Sequence, residues 1–163
     1  MKRTNVIFRI LAIVLILASL GMVALPWYNY HADFYTESVP YSTVIVSFVE
    51  SIGDNGVDFI AESAPRMLLA IATVLLVITA VLAIVLAACG VRGGGIPFFA
   101  ASLLCLGCFI YNMSLTNSEA YSYLGKNVVS LGIGAILCPV FALIAMILLF
   151  IPDNTARPVR RRQ

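Results

Sequence analysis

The sequence is short of charge. Asp, Glu, Lys and Arg make up 11% of the 163 residues, against 61% that are hydrophobic, and mean hydropathy is +1.01. Soluble domains carry about 25% charged residues, and a water-soluble fold of this size would expose large apolar patches. No Asp, Glu, Lys or Arg occurs in 10–30, 67–91, 93–118 or 127–152. Ion-coupled pumps and transporters keep ionisable groups at mid-membrane depth, so these stretches argue against that class. Histidine and tryptophan occur once each, as His31 and Trp27. With no HExxH and no Ser/His/Asp set, neither a zinc protease nor a triad hydrolase is indicated. There is no basic stripe with interleaved aromatics, which argues against nucleic-acid binding. Cys89, Cys105, Cys108 and Cys138 all lie in or beside apolar runs, so they do not form a disulfide framework of exposed loops. Internal repeats and low-complexity segments are absent.

What is present is length without charge. Each charge-free stretch exceeds the roughly 20 residues a helix needs to cross a bilayer. The pattern predicts spans at 6–25, 67–89, 96–115 and 131–151. Helices are the expected form, because barrel strands would alternate apolar and polar residues. The first span shares a basic start (Lys2, Arg3) and small residues (Ser19, Gly21) with signal peptides. Its length and the following Pro26-Trp27-Tyr28 favour an uncleaved anchor.

The basic residues set an orientation. Lys2, Arg3, Arg9, Arg92, Arg157, Arg160, Arg161 and Arg162 fall on one side of the four spans, and only Arg66 and Lys126 on the other. The positive-inside rule then puts both termini in the cytoplasm of a plasma or cytoplasmic membrane. Arg160, Arg161 and Arg162 are expected at lipid headgroups, in a cytoplasmic tail over 152–163. Trp27, Tyr28, Tyr30, Tyr111, Tyr121 and Tyr123 mark an outer aromatic belt.

Membrane helices associate through close packing of small residues. Gly134, Cys138 and Ala142 in the fourth span, Ala83 and Ala87 in the second and Cys105 in the third are the expected packing positions. Pro139 is expected to kink the fourth span. Gly93-Gly94-Gly95-Ile96-Pro97 reads as a flexible turn into the third.

The outer segments are 26–66 and 116–130. The first is acidic and aromatic, and is the expected seat of partner binding through Trp27, Tyr28, Tyr30, Phe34, Tyr35 and Tyr41. Ser42 reads as a cap for a short helix with Val44, Ile45, Phe48, Val49 and Ile52 on one face, although Thr43–Val46 also favours a strand. Asp54-Asn55-Gly56 is a turn signal, Val57–Ala61 a second short element, and Ser63 with Pro65 a cap for the second span. The expected product is a small ordered cap on the bundle.

Cys105-Leu106-Gly107-Cys108 forms a CxxC, which in a four-span protein resembles the quinone-linked thiol oxidoreductases. Those enzymes place reactive cysteines near the outer face. Here both sulfurs fall near mid-span, where a thiol stays protonated and inert. His31, Asp33 and Glu37 fall short of the ligand set zinc needs, and Asp54–Asp58 departs from the calcium loop. Four spans, inside termini and a larger first outer loop resemble the layout of claudin-like tetraspan proteins. The outer Trp pair and Cys pair of that family are absent.

Together these features predict an all-α membrane protein: one four-transmembrane-helix bundle over 1–163, with a small extracytoplasmic cap from the first outer loop. The expected function is non-enzymatic, without cofactor or metal. It is that of a structural, interaction or accessory subunit in the lipid bilayer, binding another membrane protein or itself. The alternative is a small oligomeric channel or transporter for a neutral or apolar solute.

Overall fold

A chain in hydrocarbon must satisfy its backbone polar groups internally, and a helix does this within one segment. The computed structural model describes residues 2–31, 36–40, 64–91, 93–124 and 126–151. It contains four long helices, α1 (Lys2–Gly21), α2 (Ala64–Ala88), α3 (Ile96–Leu124) and α4 (Ile133–Phe150). A 3-10 turn (Met22–Ala24) and strand β1 (Pro26–His31) follow α1; β2 (Thr36–Pro40) comes next, and β3 (Val129–Leu131) precedes α4. All four helices are long and apolar enough to cross a membrane. The chain is therefore a multi-pass membrane protein.

Each helix packs on two neighbours, α1 on α2 and α4, and α3 on the same two. The buried positions explain why. In α2 they are Leu69, Ala72, Leu76, Ala80, Ala83 and Ala87, at steps of three or four. In α4 Ala135, Cys138, Ala142, Ala145 and Leu149 repeat the pattern, and in α3 Phe98, Ala101, Cys105 and Phe109. Such spacing keeps one helical stripe facing inward. The stripe is small, and the outward face is large: Val74, Ile78 and Val81 are 59, 57 and 56% exposed, while Ala80 and Ala83 have no exposed surface. That is the reverse of a soluble helix. It suits a solvent as apolar as leucine, in which close backbone approach holds helices together.

Polar groups inside the bundle are satisfied. Ser19 Oγ donates to Cys138 O at 2.8 Å and lies 3.4 Å from Cys138 Sγ, tying α1 to α4. Ser102 Oγ donates to Phe99 O at 2.7 Å, and Thr73 and Thr79 donate to carbonyls of their own turn. Among the described residues no buried side-chain N or O lacks a partner.

The described residues of the α2–α3 turn are closely packed. Gly90 adopts φ 77°, its N–H donates to Ala87 O at 3.1 Å, and Val91 N–H donates to Leu86 O at 2.9 Å. This is a Schellman close, which only glycine adopts without strain. Gly94 and Gly95 are there for proximity. A Cβ on Gly94 would lie 2.7 Å from Leu86 Cβ, and one on Gly95 2.9 Å from Met146 Cα.

Three departures from the sequence reading concern the other end. The third helix does not stop at 115 but runs to Leu124. Asn112, Ser114, Thr116 and Asn117 lowered its apparent hydrophobicity without breaking its helix. Leu131 belongs to β3 rather than the fourth span, and α4 begins after Gly132, which is extended at φ −90°, ψ 166°. The bundle is all-α, but this end carries a three-stranded antiparallel sheet in the order β2-β1-β3. Its third strand comes from the segment between α3 and α4, while β1 and β2 come from that between α1 and α2. The readings over 41–63, and Phe34, Tyr35, Tyr41, Arg160, Arg161 and Arg162, lie outside the described residues. Pro139 sits buried inside α4.

The glycines separate by environment. Gly95→Ala is expected to lower stability by roughly 1–3 kcal/mol through overpacking against backbone. Gly107→Ala, with nothing within 4 Å of the new Cβ, is expected to be neutral or slightly stabilising. Thermal unfolding of both variants in detergent, followed by circular dichroism, checks the contrast.

Candidate functional site at the sheet end of the bundle

Leu25 is extended (φ −84°, ψ 161°) ahead of Pro26, whose ring restricts the preceding residue and ends the helical path. β1 then pairs with β2 as Pro26↔Pro40, Tyr28↔Val39, Asn29↔Ser38, Tyr30↔Glu37 and His31↔Thr36, with the register shifting between Pro26 and Tyr28. Trp27 is the residue at that irregularity. A bulge re-aims its side chain, and here the side chain goes into the bundle: Trp27 has no exposed surface.

The indole is held on every side. Its Nε1–H donates to Met22 O at 2.9 Å. Its ring meets Phe109 edge-on, with centroids 5.5 Å apart at 75°. Gly134 leaves the room: a Cβ there would stand 2.7 Å from Trp27 Cδ1 and 2.9 Å from Met22 O. Gly132 N–H donates to Trp27 O at 2.6 Å, and a Cβ on Gly132 would strike Pro26 O and Trp27 C. Tyr28 stacks on Phe109 at 5.3 Å and 21°. Phe109 of α3 thus receives two consecutive β1 aromatics.

β3 is fixed from its other side by Asn117 of α3. Asn117 Oδ1 accepts from Val128 N–H (3.0 Å) and Val129 N–H (2.9 Å), while its Nδ2–H donates to Val129 O at 2.8 Å. The amide imitates a neighbouring strand. His31 spans the sheet at its far end, with Nδ1 3.2 Å from Thr36 Oγ1 on β2 and Nε2 2.8 Å from Ser130 Oγ on β3. His31 N–H also donates to Val128 O at 2.7 Å. These contacts describe a cross-strand tie. Among the described residues no group of three His, Cys, Asp or Glu side chains is placed to hold a metal.

Between the sheet and α2–α3 lies a cavity of about 230 Å³. Tyr28, Leu69, Phe109, Met113 and Val129 give apolar walls, and Tyr30, Asn112 and Thr116 bring oxygen and nitrogen. A broader, open groove of about 540 Å³ runs along the outside of α3 past Ser114, Asn117, Ser118 and Tyr121 to Asn127.

The residues singled out from sequence divide as follows. Gly134, Cys138, Ala142, Ala83, Ala87 and Cys105 are buried in the bundle. Gly134 faces Trp27 and the Met22 carbonyl rather than a helix alone. Trp27 is internal, so its side chain is packing material and not contact surface. Tyr28 is half-buried and Tyr30 39% exposed. Cys105 is buried and Cys108 half-buried on α3. Asn117, Ser19 and Gly132 bond between elements; the sequence reading noted Ser19 only as a small residue near the end of the first span, and did not mark Asn117 or Gly132. Asn117 followed by a β-favouring Val128-Val129 is the one local cue. Searches of protein-family models, of curated proteins and of solved structures found no match to this chain.

Asn117→Ala leaves two strand N–H groups and one carbonyl without their amide. Losing such bonds costs roughly 1–3 kcal/mol. The expected result is faster amide exchange at Val128–Ser130 with unchanged helicity, read by hydrogen exchange and circular dichroism.

Proposed function

We propose that this chain is a non-enzymatic interaction or accessory subunit that binds another membrane protein through its sheet end. The observation that carries the reading is the inward use of the small-residue stripes. Ala83, Ala87, Cys105, Cys138 and Ala142 are consumed within the bundle, so intramolecular packing accounts for them. Recognition then falls to the end where Tyr30, Tyr121 and Tyr123 are 39, 61 and 88% exposed. Tyrosines of this kind supply large contact area at small entropic cost. With the eight-to-two basic asymmetry placing both termini in the cytoplasm, that end is extracytoplasmic.

The reading without catalysis is supported by the chemistry at hand. Ser19 and Ser102, buried hydroxyls of the bundle, are spent on backbone carbonyls. The channel reading has less behind it. The buried positions are Ala, Leu, Phe, Cys, Ile and Trp27, with Ser19 and Ser102 bonded to backbone carbonyls, a lining that packs rather than hydrates.

A photo-crosslinking residue at Tyr30 or at Tyr123 is expected to give one discrete adduct, the same membrane protein from both positions. The same residue at lipid-facing Val74 is expected to give none. Adducts that differ between the two positions, or none at either, contradict the proposal. Solute flux in liposomes holding the purified protein alone would favour the channel reading.

A further inference from the structure

The cavity under the sheet has a closed apolar end and an open polar one. Phe109, Asn112, Met113 and Thr116 recur at i, i+3, i+4 and i+7 on α3, so they share one face and extend about 10 Å along the axis. Phe109 is 1% exposed and Leu69 3%, and Tyr28 stacks on Phe109, which makes that end a closed aromatic floor. At the other end Thr116 is exposed and Tyr30 is 39% exposed, so entry is from there.

The polar groups have a definite sense. Thr116 Oγ1–H donates to Asn112 O at 3.1 Å, and Asn112 Nδ2–H donates to Cys108 O at 2.9 Å. A hydroxyl whose hydrogen is bound to its own helix presents lone pairs to the cavity. The rim therefore accepts a hydrogen bond at Thr116. Among the described residues no Asp, Glu, Lys, Arg or His lines the space, so a charged head would find no partner among them, at high cost. Size limits the occupant as well. Apolar cavities of about 150 Å³ hold benzene; at that packing, the volume of about 230 Å³ has room for roughly nine non-hydrogen atoms.

We propose that this cavity binds the ring of a neutral, hydroxyl-bearing amphiphile drawn from the bilayer interface. The ring lies on Tyr28 and Phe109, and the hydroxyl donates to Thr116 Oγ1. This site is separate from the protein-binding role above and stands or falls without it.

Trp27 is the single tryptophan and its ring centroid is 5.5 Å from that of Phe109, so its fluorescence reports on the floor. The probes are 4-bromophenol, neutral at pH 7, and bromobenzene, which lacks the hydroxyl; bromine quenches an indole lying within a ring's width of it. In the full chain in detergent, 4-bromophenol is expected to quench saturably. Thr116→Val is expected to weaken it about tenfold, the worth of one hydrogen bond, and to leave bromobenzene unchanged. Val129→Phe fills the space and is expected to abolish saturable quenching by both. Quenching that rises linearly and equally in all three proteins means partition into detergent and overturns the proposal. Saturable quenching that survives a folded Val129→Phe puts the site elsewhere and also overturns it. Should Val129→Phe lose its helicity, Thr116→Val decides: unchanged 4-bromophenol affinity there rejects the assignment.

Discussion

Trp27 is three residues beyond the 3-10 turn that follows α1, at a bulge in β1, and has no exposed surface. Almost everything at the sheet end depends on it. Its indole fills the space that Gly134 leaves, its N–H closes the Met22 carbonyl, and its own carbonyl accepts from Gly132 at the entrance to α4. One residue therefore joins the last turn of the first helix, the central strand, the third helix through Phe109, and the start of the fourth. An aromatic of this size contributes a large contact area and a specific edge-on geometry. Its polar tip would oppose burial if it were unpaired, and Met22 O removes that cost.

The membrane half of the molecule rests on a different force. There is no hydrophobic gain in moving leucine from lipid to a helix interface. The bundle instead turns mostly small residues inward (alanines, Cys105, Cys138, Ser19 and Ser102, with a few leucines and phenylalanines) and leaves most of its valines, leucines and isoleucines outward. The two halves meet at the level of Phe109 and Leu69, where packing by small residues gives way to packing by aromatic rings. The cavity lies at this boundary, where a bulge, a helix face and two strand ends do not fill space together.

The four helices were legible because absence of charge over twenty or more residues has few other meanings. The inward stripes were legible for the same reason as any helical periodicity. The sheet was not. Pro26-Trp27-Tyr28-Asn29-Tyr30 reads as an interfacial aromatic belt, and a belt and a half-buried strand draw on the same residues. β3 is three residues long, too short to show alternation, and its partners lie about a hundred residues away on β1 and twelve away at Asn117. Gly93-Gly94-Gly95 reads as a turn, the usual meaning of a glycine run. That Leu86 and Met146 also leave no room for a side chain at Gly94 and Gly95 was not visible in it. In each case the missing information was a non-local contact.

Trp27 fastens the sheet to the bundle. Native-state amide exchange of the Trp27→Ala variant, compared with Trp27→Phe and the unaltered chain in the same detergent, tests it directly. Trp27→Ala is expected to strip protection from Gly132 and His31, whose N–H groups donate to Trp27 O and Val128 O respectively, while mid-span amides of α2 keep theirs. Trp27→Phe, which retains the ring contact with Phe109 but not the bond to Met22 O, is predicted to fall between. Unchanged protection at Gly132 and His31 in Trp27→Ala, or equal loss across α2 and the sheet, would contradict the claim.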